Sequence, residues 1–515
     1  MLRKIEELIA GLEEGKEPWR RILSHTYLPA EEGVMEAPAV RYRRLLQSYT
    51  TLFPENREVA FARAPGRVNL IGEHTDYNDG PVLPAAVDRD IAAVFTPRSD
   101  GTVRIHEAGG SFGGREFEIR ESIPPFAQGD WGNYVKAGVQ GLVREDRRRG
   151  GGLQSGGREN ERVWRGFDAL VDGTIPPAGG LSSSSALVVL AGLLFLKSNG
   201  LSMEGKELAG VMAEAEYYVG TRGGGMDQAA SVLGEAGKAL KIDFADFSIQ
   251  SVLLPEDCTL IVAHSLVPAA KSAAARRGYN LRAAECRIAA ELFRRRLSQQ
   301  LGREIPERSI GTLRRYLEGM SERDREELIE RAFPGRFTPE RLEKEYGFSP
   351  DILQREYFLE PDSLAAEAVD AADVAEPTEA VEPFQRELKL KSRFLHVIGE
   401  CERVERLCSK FERGDIAAAG ELMNESHRSC RDLFEISCRE LDRLTEIERR
   451  SGAWGARMTG AGFGGCTVAL VPRETAGAFR ERLIEEYYRG ELGEERREYG
   501  DIVFPVRPAP GAGLL

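Results

Sequence analysis

Residues 167–198 read FDALVDGTIPPAGGLSSSSALVVLAGLLFLKS, and the order of their parts decides the architecture. FDALVDGTIP reads as a strand entering a Gly/Ser turn, and ALVVLAGLLFLKS is apolar enough to be a buried helix. Between them, Gly173 to Ala186 is built almost wholly of small residues. Such a turn lets the backbone close around an anion, with the N–H groups of the helix start aimed at it and the helix dipole favouring negative charge. Phosphate is the natural guest. The run lacks the lysine of GxxxxGK[ST], so the ordinary nucleotide P-loop does not describe it, and serine hydroxyls are left to contact phosphate or Mg²⁺. Taken alone, the same residues would serve equally as a linker or a helix cap.

Working outward, short apolar segments alternate with Gly, Pro and Asp turns from Val59 onward (VAFARAPG, VLPAAVDRDIAAVF, GTVRIHE), which predicts strands in a mixed α/β lobe. Residues 1 to about 50 read as amphipathic helices, with Ile5, Leu8, Ile9 and Leu12 on one stripe. Residues 144–165 are polar, glycine-rich and charge-dense, and read as an exposed loop. Between about 300 and 395 charged helical runs such as SERDREELIERAF are followed by the acidic, alanine-rich LAAEAVDAADVAEPTEAVEP, the composition of a peripheral insert. Helical periodicity returns over 383–450, and MTGAGFGGCTVALV reads as a Gly-rich turn running into a strand.

The bulk properties bound what this chain does. At 515 residues it exceeds what one core organises, so two lobes with a cleft are expected, and clefts suit small-molecule chemistry. A net charge of -13 argues against nucleic acid or anionic lipid as a partner. The seven cysteines are scattered without metal spacing and predict buried free thiols in a reducing compartment. No apolar run reaches the roughly 20 residues that cross a bilayer, and the first residues lack a signal-peptide core. A cytoplasmic location, without a membrane partner, is the expectation.

Three further constellations carry chemistry. Ala64 to Tyr77, APGRVNLIGEHTDY, packs a guanidinium, two carboxylates and an imidazole into a short run, the mixture that fixes hydroxyls able both to donate and to accept. Gly455 to Cys466, GARMTGAGFGGC, places glycines where backbones must approach closely. Gly220 to Gln228, GTRGGGMDQ, ends in the single acid Asp227. Phosphoryl transfer needs an aimed acceptor oxygen and a group to receive its proton, and Asp227 with Arg67 beside it suits that task. A polar turn, a structural hairpin and a helix cap are the bland alternatives for the three runs.

Together these motifs resemble the galactokinase branch of the small-molecule kinases named for galactose, homoserine, mevalonate and phosphomevalonate, the GHMP kinases. GRVNLIGEHTDYNDG is similar to the galactokinase signature, GLSSSSA to the family's phosphate loop and GARMTGAGFGG to its C-terminal glycine motif, in family order. The resemblance covers roughly residues 38–300 and 384–475. It implies an α+β, two-lobed GHMP kinase fold of mixed sheets and helices with the active site in the cleft: a helical extension over 1–37, one lobe over 38–240 and a second over 241–515, with a helical insert at about 300–383. It implies Asp227 and Arg67 as catalytic residues, and Glu73, His74, Asp76, Gly224 and Tyr279 as sugar contacts. It implies Gly179, Gly180, Leu181, Ser182, Ser183, Ser184 and Ser185 around the ATP phosphates, and Trp131 and Tyr134 flanking adenine. Ser184 would face Mg²⁺, with Glu216 the nearest metal-side carboxylate and Glu214 its competitor.

The implied activity is phosphorylation of the anomeric hydroxyl of galactose by ATP with Mg²⁺; the sequence does not give the oligomeric state, for which a monomer is the expectation. GGGMDQ, the insert and MNESHRSCRDLFEISCRELDRL resemble the N-acetylgalactosamine kinase branch instead, whereas Tyr279 resembles the galactose-specific members. The family also includes sugar- and ATP-responsive regulators without turnover, which are expected to lack part of the serine loop that is uninterrupted here.

Overall fold

The computed structural model describes residues 2–27, 38–150, 164–176, 179–220, 223–268, 273–357, 387–496 and 498–515. The strand Glu58–Asn69 is the hinge of the architecture because both of its faces are covered. Side chains alternate along a strand. Accordingly Val59 and Phe61 enter a cluster with Leu8, Leu12, Trp19, Tyr42 and Leu46 of the N-terminal helices, whereas Ala60, Ala62, Ala64 and Val68 enter the main core with Val188 and Val189.

This strand belongs to a seven-stranded sheet in the order Arg3–Lys4, Glu58–Asn69, Pro84–Pro97, Phe167–Gly173, Thr102–Glu107, Arg115–Glu118, with Gly513–Leu514 also paired to Glu58–Asn69. All neighbours run antiparallel except Thr102–Glu107 against Phe167–Gly173. The helix Ser183–Ser198 packs on this sheet and on the helix Gly132–Arg148. It is apolar nearly all round and buried nearly all round, as such a helix must be.

A four-stranded antiparallel sheet, Gly455–Thr459, Cys466–Pro472, Cys258–His264, Val503–Val506, forms the centre of the second half. A smaller one pairs Pro81–Val82 with Lys238–Asp243 and Ser248–Leu253. The long helices Ala273–Leu301 and Leu390–Glu412 carry a second large core with the short helices of residues 310–355.

Two sequence expectations need adjustment. Residues 144–148 continue the helix Gly132–Arg148, where good helix formers are reinforced by Arg148–Glu145 and Arg149–Glu145 ion pairs. The rest of the expected loop, 151–163, lies outside the described residues, as does the alanine-rich acidic stretch within 358–386. Moreover, residues 507–515 return to the first sheet, where Ala509 N–H donates to Ala86 O and Leu515 N–H to Phe61 O, while Gly511 N–H donates to Gly234 O at the end of the helix Met226–Leu233.

Two buried carboxylates are used again below. Asp90 accepts from Arg63 Nε and Tyr27 Oη at 2.6 Å each and from Arg41 Nη1 at 2.7 Å, while Arg41 Nε reaches Asp172 at 2.6 Å. Burial would push the Asp90 carboxyl up, but the two guanidiniums hold it below its ordinary value. Glu448 has no such partner: Thr467 Oγ1 donates to Oε1 at 2.6 Å, and burial pushes the carboxyl up to about 8. All seven cysteines are free and buried, and no described helix is long and apolar enough to cross a membrane.

Candidate active site

The Gly/Ser turn and the glycine turn meet back to back. A Cβ on Gly460 would stand 2.5 Å from Gly180 O, and one on Gly180 would stand 2.9 Å from Thr459 O, so neither position admits a side chain. Arg67 reaches the first of them from the strand Glu58–Asn69: its N–H donates to Leu181 O at 3.2 Å and its Nη1 to Gly180 O at 2.6 Å. Three sequence-distant motifs thus share one small volume.

Asp227 lies in the first turn of the helix Met226–Leu233 and faces Arg67. Its Oδ1 accepts from Arg67 Nε at 2.8 Å and Nη2 at 2.6 Å. Ser182 Oγ donates to Oδ2 at 2.5 Å. Ser185 Oγ donates to Glu216 Oε1 at 2.7 Å and lies 3.4 Å from Asp227 Oδ2, so one hydroxyl sits between the two carboxylates. Glu216 is buried on this side and Glu214 is exposed, which separates the two competitors by position. The hydroxyl in contact with both acids belongs to Ser185, one position beyond Ser184. Ser183 and Ser184 are half-buried in the first turn of the loop's helix, and Gly179 is sealed beneath it.

The segment 72–80 forms the facing wall. His74, at φ 62°, is buried, with Nε2 3.1 Å from Ala461 O and Nδ1 2.7 Å from Tyr77 Oη. A carbonyl only accepts, so Nε2 carries the hydrogen and Nδ1 accepts from the tyrosine. Burial and nearby His396 lower the imidazole's pKa to about 3, so the ring is neutral at ordinary pH. Its ring lies 5.1 Å from that of Tyr279, which is 5.5 Å from that of Tyr77.

Glu73 is 1% exposed, and its oxygens are engaged within the protein. Oε2 accepts from Asn69 Nδ2 at 2.6 Å and Arg457 Nη1 at 2.7 Å, while Oε1 accepts the Gly460 N–H at 2.6 Å. Asp76 is more open: Oδ2 accepts the Gly224 N–H at 3.2 Å, and the carboxyl is pushed up to about 6 by burial and then by the charge of Asp227. A Cβ on Gly224 would stand 2.2 Å from Tyr77 N, which explains a glycine there.

The structure therefore brings Arg67, Asp227, Ser182, Ser185, Glu216, Asp76, Gly224, His74 and Tyr279 into one connected set. Trp131 and Tyr134 stand apart at the start of the helix Gly132–Arg148, half-buried on the main core, with Trp131 Nε1 donating to Gly113 O at 3.2 Å. Sequence reasoning missed Arg457, which is fully buried and donates to both Glu73 and Asn69 O. Its signal was a lone arginine in the strand that leads into the glycine-rich turn. Ser185, expected around the ATP phosphates, proves to bridge Glu216 and Asp227 as well.

Comparison with known proteins agrees with this geometry. Residues 47–97 match the model of the galactokinase galactose-binding signature, 133–235 that of the GHMP kinases N terminal domain and 407–489 that of the GHMP kinases C terminal region. A galactokinase of Dictyostelium discoideum is 32% identical over 510 residues, covering 92% of this chain and 94% of its own length. One of Schizosaccharomyces pombe is 30% identical, covering 92% and 95%. Among solved structures, Lactococcus lactis galactokinase complexed with galactose matches with a TM-score of 0.66 and 27% identity over 91% of this chain and 100% of that one. Similarity of this extent means that the chain belongs to the galactokinase family of the GHMP kinases.

Proposed function

We propose that the protein transfers the γ-phosphoryl group of ATP to the anomeric hydroxyl of galactose, giving galactose 1-phosphate and ADP. The observation that carries this reading is Asp227, held on one oxygen by Arg67 and touching the serine loop through the other. The galactose-binding signature spans both Arg67 and Asp76.

In this reading the N–H groups and hydroxyls of Gly179 to Ser185 receive the ATP phosphates at the helix start, and Trp131 and Tyr134 offer aromatic surface to adenine. Asp76, with the Gly224 backbone and Tyr279, reads the sugar's hydroxyls. Glu73 and His74 belong to the same wall, and their internal hydrogen bonds to Gly460, Ala461 and Tyr77 fix the backbone that presents Asp76. Asp227 orients the anomeric oxygen and takes its proton as that oxygen attacks the γ-phosphorus and the bond to the ADP oxygen breaks.

Glu216, with the Ser185 hydroxyl donating to it, offers an oxygen donor that suits a hard divalent cation. No group of three or more His, Cys, Asp and Glu side chains able to hold a metal is found among the described residues, so Mg²⁺ would take its remaining ligands from phosphate and water, with Ser184 within the same turn. When bound, the cation neutralises charge developing on the phosphates.

ADP release measured with galactose, N-acetylgalactosamine, glucose and mevalonate as acceptors tests the reading. Galactose should give the highest kcat/KM. Comparable values for glucose would remove C4 recognition from Asp76 and its neighbours, and turnover on mevalonate alone would overturn the sugar assignment.

A further inference from the structure

The two oxygens of Asp227 are unequally occupied. Oδ1 accepts twice from Arg67, which fills both of its lone-pair directions. Oδ2 is therefore the oxygen with room for another proton donor, and Ser182 already donates to it at 2.5 Å. Ser185 is no substitute, since its hydroxyl is better placed on Glu216 at 2.7 Å than on Asp227 at 3.4 Å.

Ser182 is also conformationally unusual. It stands at the N-cap position of the loop's helix at φ 60° and ψ 41°, a left-handed conformation that favours glycine. A serine at that position ordinarily turns its hydroxyl onto the first N–H groups of the helix. Ser182 makes no such cap bond, and its hydroxyl is spent on Asp227 instead. The same hydroxyl stands in the turn where phosphate would dock.

We propose that Ser182 is a positioning residue that couples the two substrates. Before nucleotide binds, its O–H occupies Oδ2 of Asp227. Phosphate docking moves that hydrogen bond to a phosphate oxygen, and Oδ2 is opened to the anomeric hydroxyl. No covalent bond changes in this step; one hydrogen bond exchanges its acceptor. The proposal rests on the assignment of Asp227 and the serine loop given above. It makes galactose bind more tightly to the nucleotide-loaded protein, and by thermodynamic reciprocity it makes nucleotide bind more tightly to the galactose-loaded protein by the same factor.

The experiment is calorimetric titration of galactose into the full chain with and without Mg²⁺ and a non-hydrolysable ATP analogue, in the wild type and in Ser182→Gly. Glycine adopts the observed backbone freely, so this variant removes the hydroxyl and little else. The wild type should show tightening of roughly tenfold on adding the analogue, within the usual range of coupling between two ligands. In Ser182→Gly the affinity without analogue should rise toward the loaded value and the factor should fall to near one. Ser182→Asn, which tolerates the same φ and keeps a donor, should restore part of the factor. A wild-type factor retained in Ser182→Gly overturns the proposal, as does a wild type without coupling. Turnover of Asp227→Asn, measured alongside, separates the two levels: near wild-type turnover would overturn the reading of Asp227 itself, whereas an inactive Asp227→Asn with unaltered coupling in Ser182→Gly overturns only the role of Ser182.

Discussion

Arg63 and Arg67 leave the same strand and each meets an aspartate, but the two ion pairs differ in what they leave open. The Arg63–Asp90 side chains are 2% and 0% exposed, and Arg41 and Tyr27 fill the remaining acceptor positions of the carboxylate. The Arg67–Asp227 side chains are 4% and 29% exposed, and one carboxylate oxygen is held by a single short bond from a serine. The chemistry of the pair is the same in both places. Saturation and exposure set the outcome: the first pair welds the N-terminal helices, the sheet and residues 510–511 together, and the second leaves an acid part-exposed beside the serine loop.

The largest effect expected from this contrast is on turnover. Asp227→Asn keeps the shape and removes the proton acceptor, so kcat should fall by about 10² to 10⁴, with the unfolding midpoint little changed. A folded variant with near wild-type kcat would erase the distinction between the two aspartates. Asp90→Asn should do the reverse. It leaves Arg63 buried without a charge partner and Arg41 with Asp172 alone, a loss of about 3–5 kcal/mol in urea unfolding, while KM for galactose in the protein that remains folded stays near the wild-type value. Unchanged stability would mean that the sealed pair is idle.

The smallest effect belongs to Glu448, the buried acid that no guanidinium ion-pairs among the described residues. Its carboxyl is raised from 4.5 to about 8, so between those values the folded protein keeps a proton that the unfolded chain releases. That contribution to stability is fully present below pH 4.5 and is lost as pH rises through about 8. Glu448→Gln cannot ionise and should flatten the decline in Tm across this window. Parallel pH profiles for the two proteins would show that Glu448 does not control it.

Much of this arrangement was legible because it is local. The strand Phe167–Gly173, the helix Ser183–Ser198 and the turn between them follow from apolar patterning and small residues. The three motifs were recognisable as runs, and the Arg67–Asp227 contact joins two residues that chemistry had already paired. What stayed hidden was long-range pairing between residues that look ordinary alone. Glu73 and Arg457 lie 384 positions apart, and nothing in GEHTDY tells that its glutamate is turned inward onto that arginine while its aspartate is not. Asp90 is similar: in AAVDRDIAAVF a strand acid reads as a surface residue until the N-terminal helices are seen to cover it.

The return of residues 507–515 also sets a timetable. Glu58–Asn69 is synthesised long before Gly513–Leu514, its partner along one edge, and Arg63 Nη1 waits equally long for Pro510 O. At ribosomal speeds of about 5–20 residues per second that interval is on the order of tens of seconds. Throughout it the first sheet has its phosphate loop and sugar motif already made, yet one backbone edge is still without its hydrogen-bond partners. Until residues 509–515 pair with it, that edge offers free N–H and C=O groups to any other strand, the arrangement that favours edge-to-edge association.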